Sequence, residues 1–249
     1  MEEIKKLAEL LAEVQGQQVK LQTVTNEPRI NPQAIRKYFL SRLNYQSLQN
    51  SFGKHGFELN EENTKVVELV CQYLNNEPEF ENNQDKNGVN YSLNRGLWIY
   101  GRCGSGKTEI VKAYRDLKKK LFQEAVGFKT CVDMNIAYQR IDVDTNKPEK
   151  LMGISKYLWN LNPSEKIFDD LGAEETTLKD YGNPFSVMPY IFGERHKGSK
   201  KRCITHVTTN LTPKQVGELY GDRIDSRSYE MFNMIVLGKN TESIDYRKI

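Results

Sequence analysis

The sequence predicts an α/β fold in which helices cover both faces of a parallel sheet. From residue 96 onward, short apolar runs alternate with longer segments whose apolar residues recur at helical spacing. The first of these runs, at residues 97–100, leads through a glycine-rich turn into a predicted helix at residues 107–122. Strands that alternate with helices are typical of βαβ units, which build parallel sheets with a helix layer on each face.

The composition is that of a globular protein. Of 249 residues, 38% are hydrophobic and 28% are charged, which suits a sizeable core rather than a disordered chain. No apolar run approaches the roughly 20 residues of a membrane-spanning helix. The four cysteines are scattered without a CxxC pair, as expected of reduced thiols. We therefore expect a cytoplasmic protein with no membrane partner.

The first 90 residues are expected to form helices joined by polar turns. Apolar residues recur every three or four positions over residues 2–22, and a second helix starts after Pro32. One face of this second helix carries three apolar residues at helical spacing: Ile35, Phe39 and Leu43. A third helix starts near Glu61 and stops before residues 75–90, whose polar composition predicts an exposed loop.

Beyond the glycine-rich turn, the remaining elements follow from apolar runs and helix-start patterns. The expected strands are residues 127–133, 166–169, 203–208 and 232–237, and the expected helices are residues 148–160 and one that starts at Thr212-Pro213. Thr212 is a preferred N-cap residue, and proline suits the first helical position.

The glycine-rich turn matches the phosphate-binding pattern G-x-x-x-x-G-K-[ST]. Glycines let backbone amides turn toward phosphates, and the positive end of the following helix faces the anion. Lys107 is expected to reach the β- and γ-phosphates of ATP, and the hydroxyl of Thr108 to ligate Mg²⁺. The expected nucleotide contacts are Gly101, Cys103, Gly104, Ser105, Gly106, Lys107, Thr108 and Glu109. The strand before the turn and the helix after it favour this interpretation over a turn without a ligand.

Two adjacent acids end the predicted strand at residues 166–169. Asp169 is expected to hold Mg²⁺, and Asp170 to act as the general base that polarises the attacking water. Read alone, the same residues suit a polar turn, but the preceding phosphate loop favours the catalytic interpretation. Many ATPases carry glutamate at the second position, so the shorter Asp170 predicts slow turnover.

Further along, three polar residues are candidates for contacts with the γ-phosphate. Asn210 ends the next core strand, where its amide is placed to hold the attacking water; read alone, it suits a loop cap before the helix at Thr212 better. Arg223 and Arg227 are candidates for an arginine that reaches into a neighbouring subunit's site, and are otherwise solvated helix arginines.

Four motifs, taken in order, resemble the AAA+ ATPases of the bacterial DnaC/DnaI helicase-loader family, which includes the IstB transposition helpers. They are GRCGSGKT at 101–108, IFDDLG at 167–172, TTNL at 208–211 and GDRIDSR at 221–227. The first is generic to P-loop proteins, and the other three are more specific to this group. The resemblance covers roughly residues 60–249.

The resemblance implies an AAA+ core whose five-stranded parallel sheet has the order 5-1-4-3-2, flanked by helices and without a C-terminal helical lid. Asn210 would be the first sensor residue. Arg227 would be an arginine finger acting in trans within a self-associated assembly, with Arg223 as the alternative. Residues 1–58 would form a small helical partner-binding segment, and residues 59–249 the ATPase domain.

The same resemblance implies an ATPase that binds single-stranded DNA and helps to load a replicative DNA helicase. Two alternatives remain open: an IstB-like regulator of transposition that prefers duplex DNA, and a nucleotide-gated scaffold that hydrolyses little ATP. A net charge of +3 permits DNA contact without arguing for it. Residues 118–120 suit helix C-terminal charge, and the basic cluster at 195–202 suits either a solvated loop or a phosphate-tracking surface.

Overall fold

The computed structural model describes residues 29–51, 56–140, 164–175, 178–180, 183–198 and 204–238. The helices expected at residues 2–22 and 148–160 lie outside these ranges. The helices are α1 (Pro32–Asn50), α2 (Glu61–Leu74), α3 (Lys107–Phe122), α4 (Cys131–Arg140), α5 (Val187–Gly198), α6 (Pro213–Tyr220) and α7 (Asp222–Met231), with a 3-10 helix at Pro78–Asn82. The strands are β1 (Gly96–Gly101), β2 (Gly127–Thr130), β3 (Lys166–Leu171), β4 (Leu178–Asp180), β5 (Asn183–Phe185), β6 (Thr205–Thr209) and β7 (Phe232–Leu237).

A five-stranded parallel sheet with the order β2-β3-β6-β1-β7 forms the centre of the molecule. When its strands alone are numbered along the chain, this order is 2-3-4-1-5, so the expected order 5-1-4-3-2 is confirmed. A separate antiparallel pair, β4 and β5, was not predicted from the sequence. No helix within the described ranges has the length and apolarity needed to cross a membrane.

Strand β1 shows how the sheet divides the core into two layers. Leu97 and Ile99 point into a layer formed with α1, α2 and α3. Trp98 and Tyr100 point into the opposite layer, formed with α4, α5, α6 and α7. This alternation follows from the two-residue period of a strand. Both faces of β1 are buried, which explains its continuous apolar run in the sequence.

Helix α1 begins as expected at Pro32, where Asn31 accepts the N–H groups of the first turn. Its predicted apolar face is fully buried and consists of Ile35, Phe39 and Leu43. The helix packs against α2 and α3 within one core layer. On its outer side, Arg42 donates to Asp116 of α3 at 2.6 Å. The division of the chain at residue 58 stays a prediction.

The strand expected at residues 127–133 ends at Thr130, so the prediction was wrong for its last residues. Helix α4 begins at Cys131 because Thr130 and Asp133 form a reciprocal capping pair. The Oγ1 atom of Thr130 accepts the N–H of Asp133 at 3.0 Å, and Oδ2 of Asp133 accepts the N–H of Thr130 at 3.3 Å. These bonds satisfy two amides that a helix start leaves unpaired.

The segment at residues 75–90 is less exposed than its polar composition predicted. Phe80 is fully buried, and Asn75 and Glu77 are also buried. The Nδ2 group of Asn75 donates to Glu77 at 2.8 Å, and Glu77 forms an ion pair with Arg36 of α1 at 3.1 Å. Mutual pairing removes the cost of burying these polar groups, which a polar-rich sequence does not reveal.

A half-buried carboxylate, Glu165, joins α3 to the sheet. It accepts hydrogen bonds from Tyr114 at 2.5 Å and from Nε2 of His206 at 2.8 Å, and Lys118 lies 3.3 Å away. Nδ1 of His206 accepts the N–H of Leu97 at 3.0 Å, so the ring hydrogen sits on Nε2. Burial alone would raise the pKa of Glu165, but the hydrogen bonds from His206 and Tyr114 and the charge of Lys118 lower it to about 2.

We expect this network to make the folded state sensitive to acid. Because the pKa of Glu165 falls from 4.5 to about 2 on folding, its contribution to stability is complete above pH 4.5 and disappears as the pH falls toward 2. Glu165→Gln keeps the shape of the side chain but cannot titrate. Urea denaturation should therefore show a steeper loss of unfolding free energy for the wild type than for the variant over this pH range.

The matched control is Glu79→Gln, which alters an exposed glutamate. Its pH profile should follow that of the wild type. A difference between wild type and Glu165→Gln that does not change with pH would contradict the assignment.

Candidate nucleotide-binding site

The candidate site lies where three neighbouring strands end. Strands β3, β6 and β1 are adjacent in the sheet and parallel, so their carboxyl ends open on the same edge. The phosphate loop follows β1, the two acids end β3, and Asn210 follows β6. The sheet order thus brings together residues that lie 40 to 103 positions apart in the sequence.

The phosphate loop has the backbone conformation that its glycines permit. Gly104 and Gly106 have φ angles of +77° and +94°, a region that other residues rarely adopt. A Cβ atom on Gly106 would lie 2.8 Å from the ring of Phe57. Helix α3 starts directly afterwards, at Lys107, so the N–H groups of its first turn lie next to the loop.

Lys107 is buried and connects the loop to the neighbouring strand. Its ammonium donates to the carbonyl oxygens of Gly101 at 2.9 Å and Arg102 at 2.7 Å. It also donates to Oδ1 of Asn210 at 2.8 Å. The lysine and the sensor candidate are thus in direct contact.

The other residues predicted to contact the nucleotide differ in their exposure and in their hydrogen-bond partners. Cys103 is exposed, and Ser105 is half-buried near Lys107, with its Oγ atom 3.5 Å from the ammonium. Glu109 accepts a hydrogen bond from Asn50 of α1 at 2.8 Å. Glu109 therefore connects α3 to α1, and its contact with a nucleotide stays a prediction.

Asp169 lies between the loop helix and β6. Both its carboxylate oxygens lie 3.1 Å from Oγ1 of Thr108, and Thr208 donates to Oδ1 at 2.5 Å. Burial raises the pKa of Asp169, and the charge of Asp170 acts in the same direction. The hydrogen bonds from Thr208 and Thr108 oppose this shift but do not cancel it. A divalent cation at this point would reverse the balance by favouring the ionised form.

Asp170 sits at an irregularity in β3. The pairing register between β3 and β6 shifts between Phe168 and Leu171, and Asp170 has a φ of +60°. Aspartate tolerates this left-handed conformation better than most residues. Its N–H donates to Thr208 at 2.9 Å, and its Oδ1 accepts from Nδ2 of Asn210 at 3.1 Å. Because of this bulge the backbone changes direction between the two acids, and the side chains of both face the site.

Sequence reasoning missed the part played by two buried threonines of β6. Thr208 donates to Asp169 and accepts from the amide of Asp170, so it holds both acids. Thr209 donates to the carbonyl of Leu171 at 2.6 Å and supports the strand after the bulge. Two consecutive threonines at the end of a core strand were visible in the sequence, but nothing local showed that they face the acids.

Helix α7 carries the two arginine-finger candidates. Arg223 is exposed in the first turn. Arg227 lies against α5, where a Cβ atom on Gly193 would be 3.1 Å from its guanidinium. In the part of the chain that the structure describes, neither arginine forms a hydrogen bond or ion pair with the phosphate loop or the acids of its own subunit.

The structure revises both basic clusters considered for DNA contact. Lys118 pairs with Glu124 at 2.8 Å and lies near Glu165, so it serves the protein's own packing. Arg195 is buried in α5 and donates to Thr205 at 2.6 Å and to the carbonyl of Ile204 at 2.8 Å. A phosphate-tracking role for Arg195 was therefore wrong. Residues 199–203 lie outside the described ranges.

The residues present fit a nucleoside triphosphate and Mg²⁺. The backbone amides at the start of α3 and the ammonium of Lys107 suit phosphate oxygens. The oxygens of Thr108 and Asp169 are 3.1 Å apart and are the ligand type that Mg²⁺ prefers. The arrangement supplies a phosphate cradle and a cation position side by side.

This sheet order, with a phosphate-loop motif after β1 and two acids at the end of β3, defines a parallel α/β fold of the kind that the sequence predicts. The crystal structure of the DnaC helicase loader is similar, with a TM-score of 0.54 and 20% identity, covering 81% of this chain and 99% of that chain. DnaA from Aquifex aeolicus bound to AMPPCP gives a TM-score of 0.51 at 17% identity, covering 75% of this chain and 50% of that chain.

A third similar structure, the replication initiator DnaA bound to AMPPCP and single-stranded DNA, has a TM-score of 0.52 and 16% identity, covering 74% of this chain and 49% of that chain. No family model matches the sequence, and a search of curated proteins finds no match. At these identities the likeness concerns the fold alone, which this chain shares with the DnaC structure.

The glycine at position 106 offers a test of the loop. Gly106→Ala should lose ATP affinity at least tenfold, because the new Cβ meets Phe57 and the φ angle is unfavourable. Fluorescent-nucleotide titration measures the affinity. Gly88→Ala is the matched control, since Gly88 has a φ of +80° but nothing within 4 Å of its Cβ position.

Both alanine variants should lose about 1–2 kcal/mol of stability from the left-handed backbone, as measured by urea denaturation. Only Gly106→Ala should lose nucleotide affinity. Equal affinities in the two variants would show that the loop at Gly106 does not approach the phosphates.

Proposed function

We propose that this protein binds ATP with Mg²⁺, hydrolyses it, and acts as a helicase-loader-like protein on single-stranded DNA. The observation that carries the ATPase part is the convergence of Lys107, Asp169, Asp170 and Asn210 at one sheet edge. The DnaC-like fold supports the loader part. The loader part also draws on the motif resemblance described above.

In the proposed reaction, Lys107 and the amides of the phosphate loop bind the triphosphate, and Thr108 and Asp169 hold the metal. Mg²⁺ supplies charge neutralisation on the phosphates. Asp170 accepts a proton from the attacking water as general base. Asn210, bonded to both Lys107 and Asp170, orients the carboxylate of the base relative to the phosphate-binding ammonium.

The reaction is completed by an arginine of a neighbouring subunit. We assign this role to Arg227, with Arg223 as the alternative, because the motif resemblance implies a finger in the segment at residues 221–227. Such a finger neutralises charge in the transition state and contributes about 10³–10⁵ in rate where it has been measured. The site therefore requires self-association for full activity.

The proposed partners are a replicative DNA helicase and single-stranded DNA. One similar structure is that of a helicase loader, and another is that of a replication initiator bound to single-stranded DNA. We assign helicase binding to residues 1–58, whose apolar stripe over residues 2–22 suits a helix-in-groove contact. DNA binding of this kind is expected to be salt-sensitive and largely indifferent to sequence.

Asp170→Asn tests the catalytic assignment. The amide keeps an oxygen for the bond from Asn210 but removes the basic carboxylate, so ATP affinity should stay within threefold while turnover falls about 10²-fold or more. Phosphate release and nucleotide titration measure the two quantities. Asp85→Asn, in the loop between α2 and β1, is the matched control and should behave as wild type.

Lys107→Ala should lose ATP binding itself, because the ammonium is the charged group of the cradle. If Asp170→Asn hydrolyses ATP as fast as the wild type, the role of Asp170 as general base is contradicted. ATP binding without measurable wild-type turnover would instead support the nucleotide-gated scaffold.

Retention on the immobilised replicative helicase tests the partner assignment. The full-length protein should bind the helicase, and Leu7→Lys together with Leu11→Lys should abolish binding while ATP affinity is unchanged. Glu9→Lys in the same segment adds the same charge at a polar position and should bind. Failure of the wild type to bind the helicase would contradict the loader function.

DNA preference separates the loader from the transposition regulator. Fluorescence anisotropy with single-stranded and duplex oligonucleotides of equal length should show tighter binding of the single strand. Preference for the duplex would favour the IstB-like function.

A further inference from the structure

Another buried carboxylate, Glu174, lies outside the proposed reaction but next to it. One of its oxygens accepts the N–H of Gly172 at 2.8 Å. The other accepts the hydroxyl of Tyr220. Glu174 is buried, so its carboxylate depends on these bonds.

The two partners of Glu174 belong to the two halves of the proposed machinery. Gly172 is the second residue after Asp170, in the turn that ends β3. Tyr220 is the last residue of α6, and only Gly221 separates it from α7. The carboxylate thus bridges the turn after the catalytic acids and the start of the helix that carries Arg223 and Arg227.

The turn on the β3 side is held in one conformation. Gly172 has a φ of +92°, and a Cβ there would lie 2.5 Å from Leu211. The next residue of the turn, Ala173, donates its N–H back to the carbonyl of Asp170 at 3.1 Å. On the other side of Glu174, the neighbouring Glu175 accepts from Asn135 of α4 at 2.5 Å. The acids are therefore connected to Glu174 through short covalent and hydrogen-bonded steps.

Helices α6 and α7 pack closely where Gly217 of α6 faces Asp225 of α7. A Cβ on Gly217 would lie 3.2 Å from Asp225, and the N–H of Gly221 donates to the carbonyl of Gly217 at 2.7 Å. The outer end of α7 is held to α5 by His196 and Glu230, 2.8 Å apart. Tyr220 anchors the inner end of this pair to the turn after β3.

We propose that Glu174 and Tyr220 are positioning residues that couple the catalytic acids of one subunit to the arginine which that subunit presents to its neighbour. This inference rests on the proposed arginine finger in trans. Burial, together with the adjacent Glu174, raises the pKa of Tyr220, so its hydroxyl stays protonated and donates. Removing that hydroxyl leaves the fold's apolar contacts in place but frees the start of α7.

A subunit-mixing experiment isolates the donor role. Wild-type protein at limiting concentration supplies the nucleotide site, and an excess of Lys107→Ala protein, which cannot hydrolyse ATP, supplies the arginine. ATP turnover per wild-type subunit is measured against donor concentration. The donors are Lys107→Ala alone and the same protein with Arg227→Ala, Arg223→Ala, Tyr220→Phe, Glu174→Gln or Tyr229→Phe.

We expect the parent donor to stimulate turnover and the donor lacking the finger arginine to give none. Tyr220→Phe in the donor should reduce maximal stimulation about tenfold or more, since small displacements of a catalytic group cost about that much. The donor concentration that gives half-maximal stimulation should not change. If the substitution merely weakened assembly, that concentration would rise. Glu174→Gln keeps one acceptor oxygen and should give a partial loss.

Tyr229→Phe is the matched control, because Tyr229 is an exposed tyrosine on α7, and it should stimulate like the parent. Thermal denaturation is used to check that both donors are folded. If the Tyr220→Phe donor then stimulates turnover as much as the parent donor, the positioning role alone is overturned. Absence of stimulation by the parent donor overturns the finger in trans and, with it, this inference.

Discussion

The packing of Asp169 between Thr108 and Thr208 is the contact on which the site depends. The carboxylate belongs to β3, one hydroxyl belongs to the phosphate-loop helix α3, and the other to β6. A buried carboxylate is costly unless it is hydrogen-bonded, so these three elements must keep their relative positions for the fold to be stable. The same condition that stabilises the interior places a cation ligand beside the phosphate loop.

From this contact the polar groups of the site continue in an ordered series. Thr208 also accepts a hydrogen bond from the N–H of Asp170. The carboxylate of Asp170 is hydrogen-bonded to Asn210, which in turn is hydrogen-bonded to Lys107. Each group is oriented by a neighbour on a different strand, which is the preorganisation that electrostatic catalysis requires. A carboxylate, an amide and an ammonium therefore lie in this order beside the phosphate-loop motif.

The sequence was most informative where local rules and the fold agree. The phosphate-loop helix, Lys107–Phe122, and the last strand, Phe232–Leu237, have the predicted bounds, because glycine and apolar patterns define their ends. Side-chain pairing was not readable from the apolar pattern: the hydrogen bonds between Thr130 and Asp133 start a helix where the strand was expected to continue. Likewise, Arg195 resembles its basic neighbours in sequence, but in the fold it is buried and donates hydrogen bonds to Thr205 and to the carbonyl of Ile204.

Continuity between the site and α7 has a thermodynamic consequence. Hydrogen bonds and short covalent steps lead from Lys107 through Asn210 and Asp170 to the turn at Gly172, and then through Glu174 to the end of α6. If nucleotide at one site alters how α7 is presented, docking of a neighbour must alter nucleotide affinity by the same factor, because coupling free energies are reciprocal. Assembly and ATP binding would then be one linked equilibrium, and the buried carboxylate of Glu174 would set how strongly they are linked.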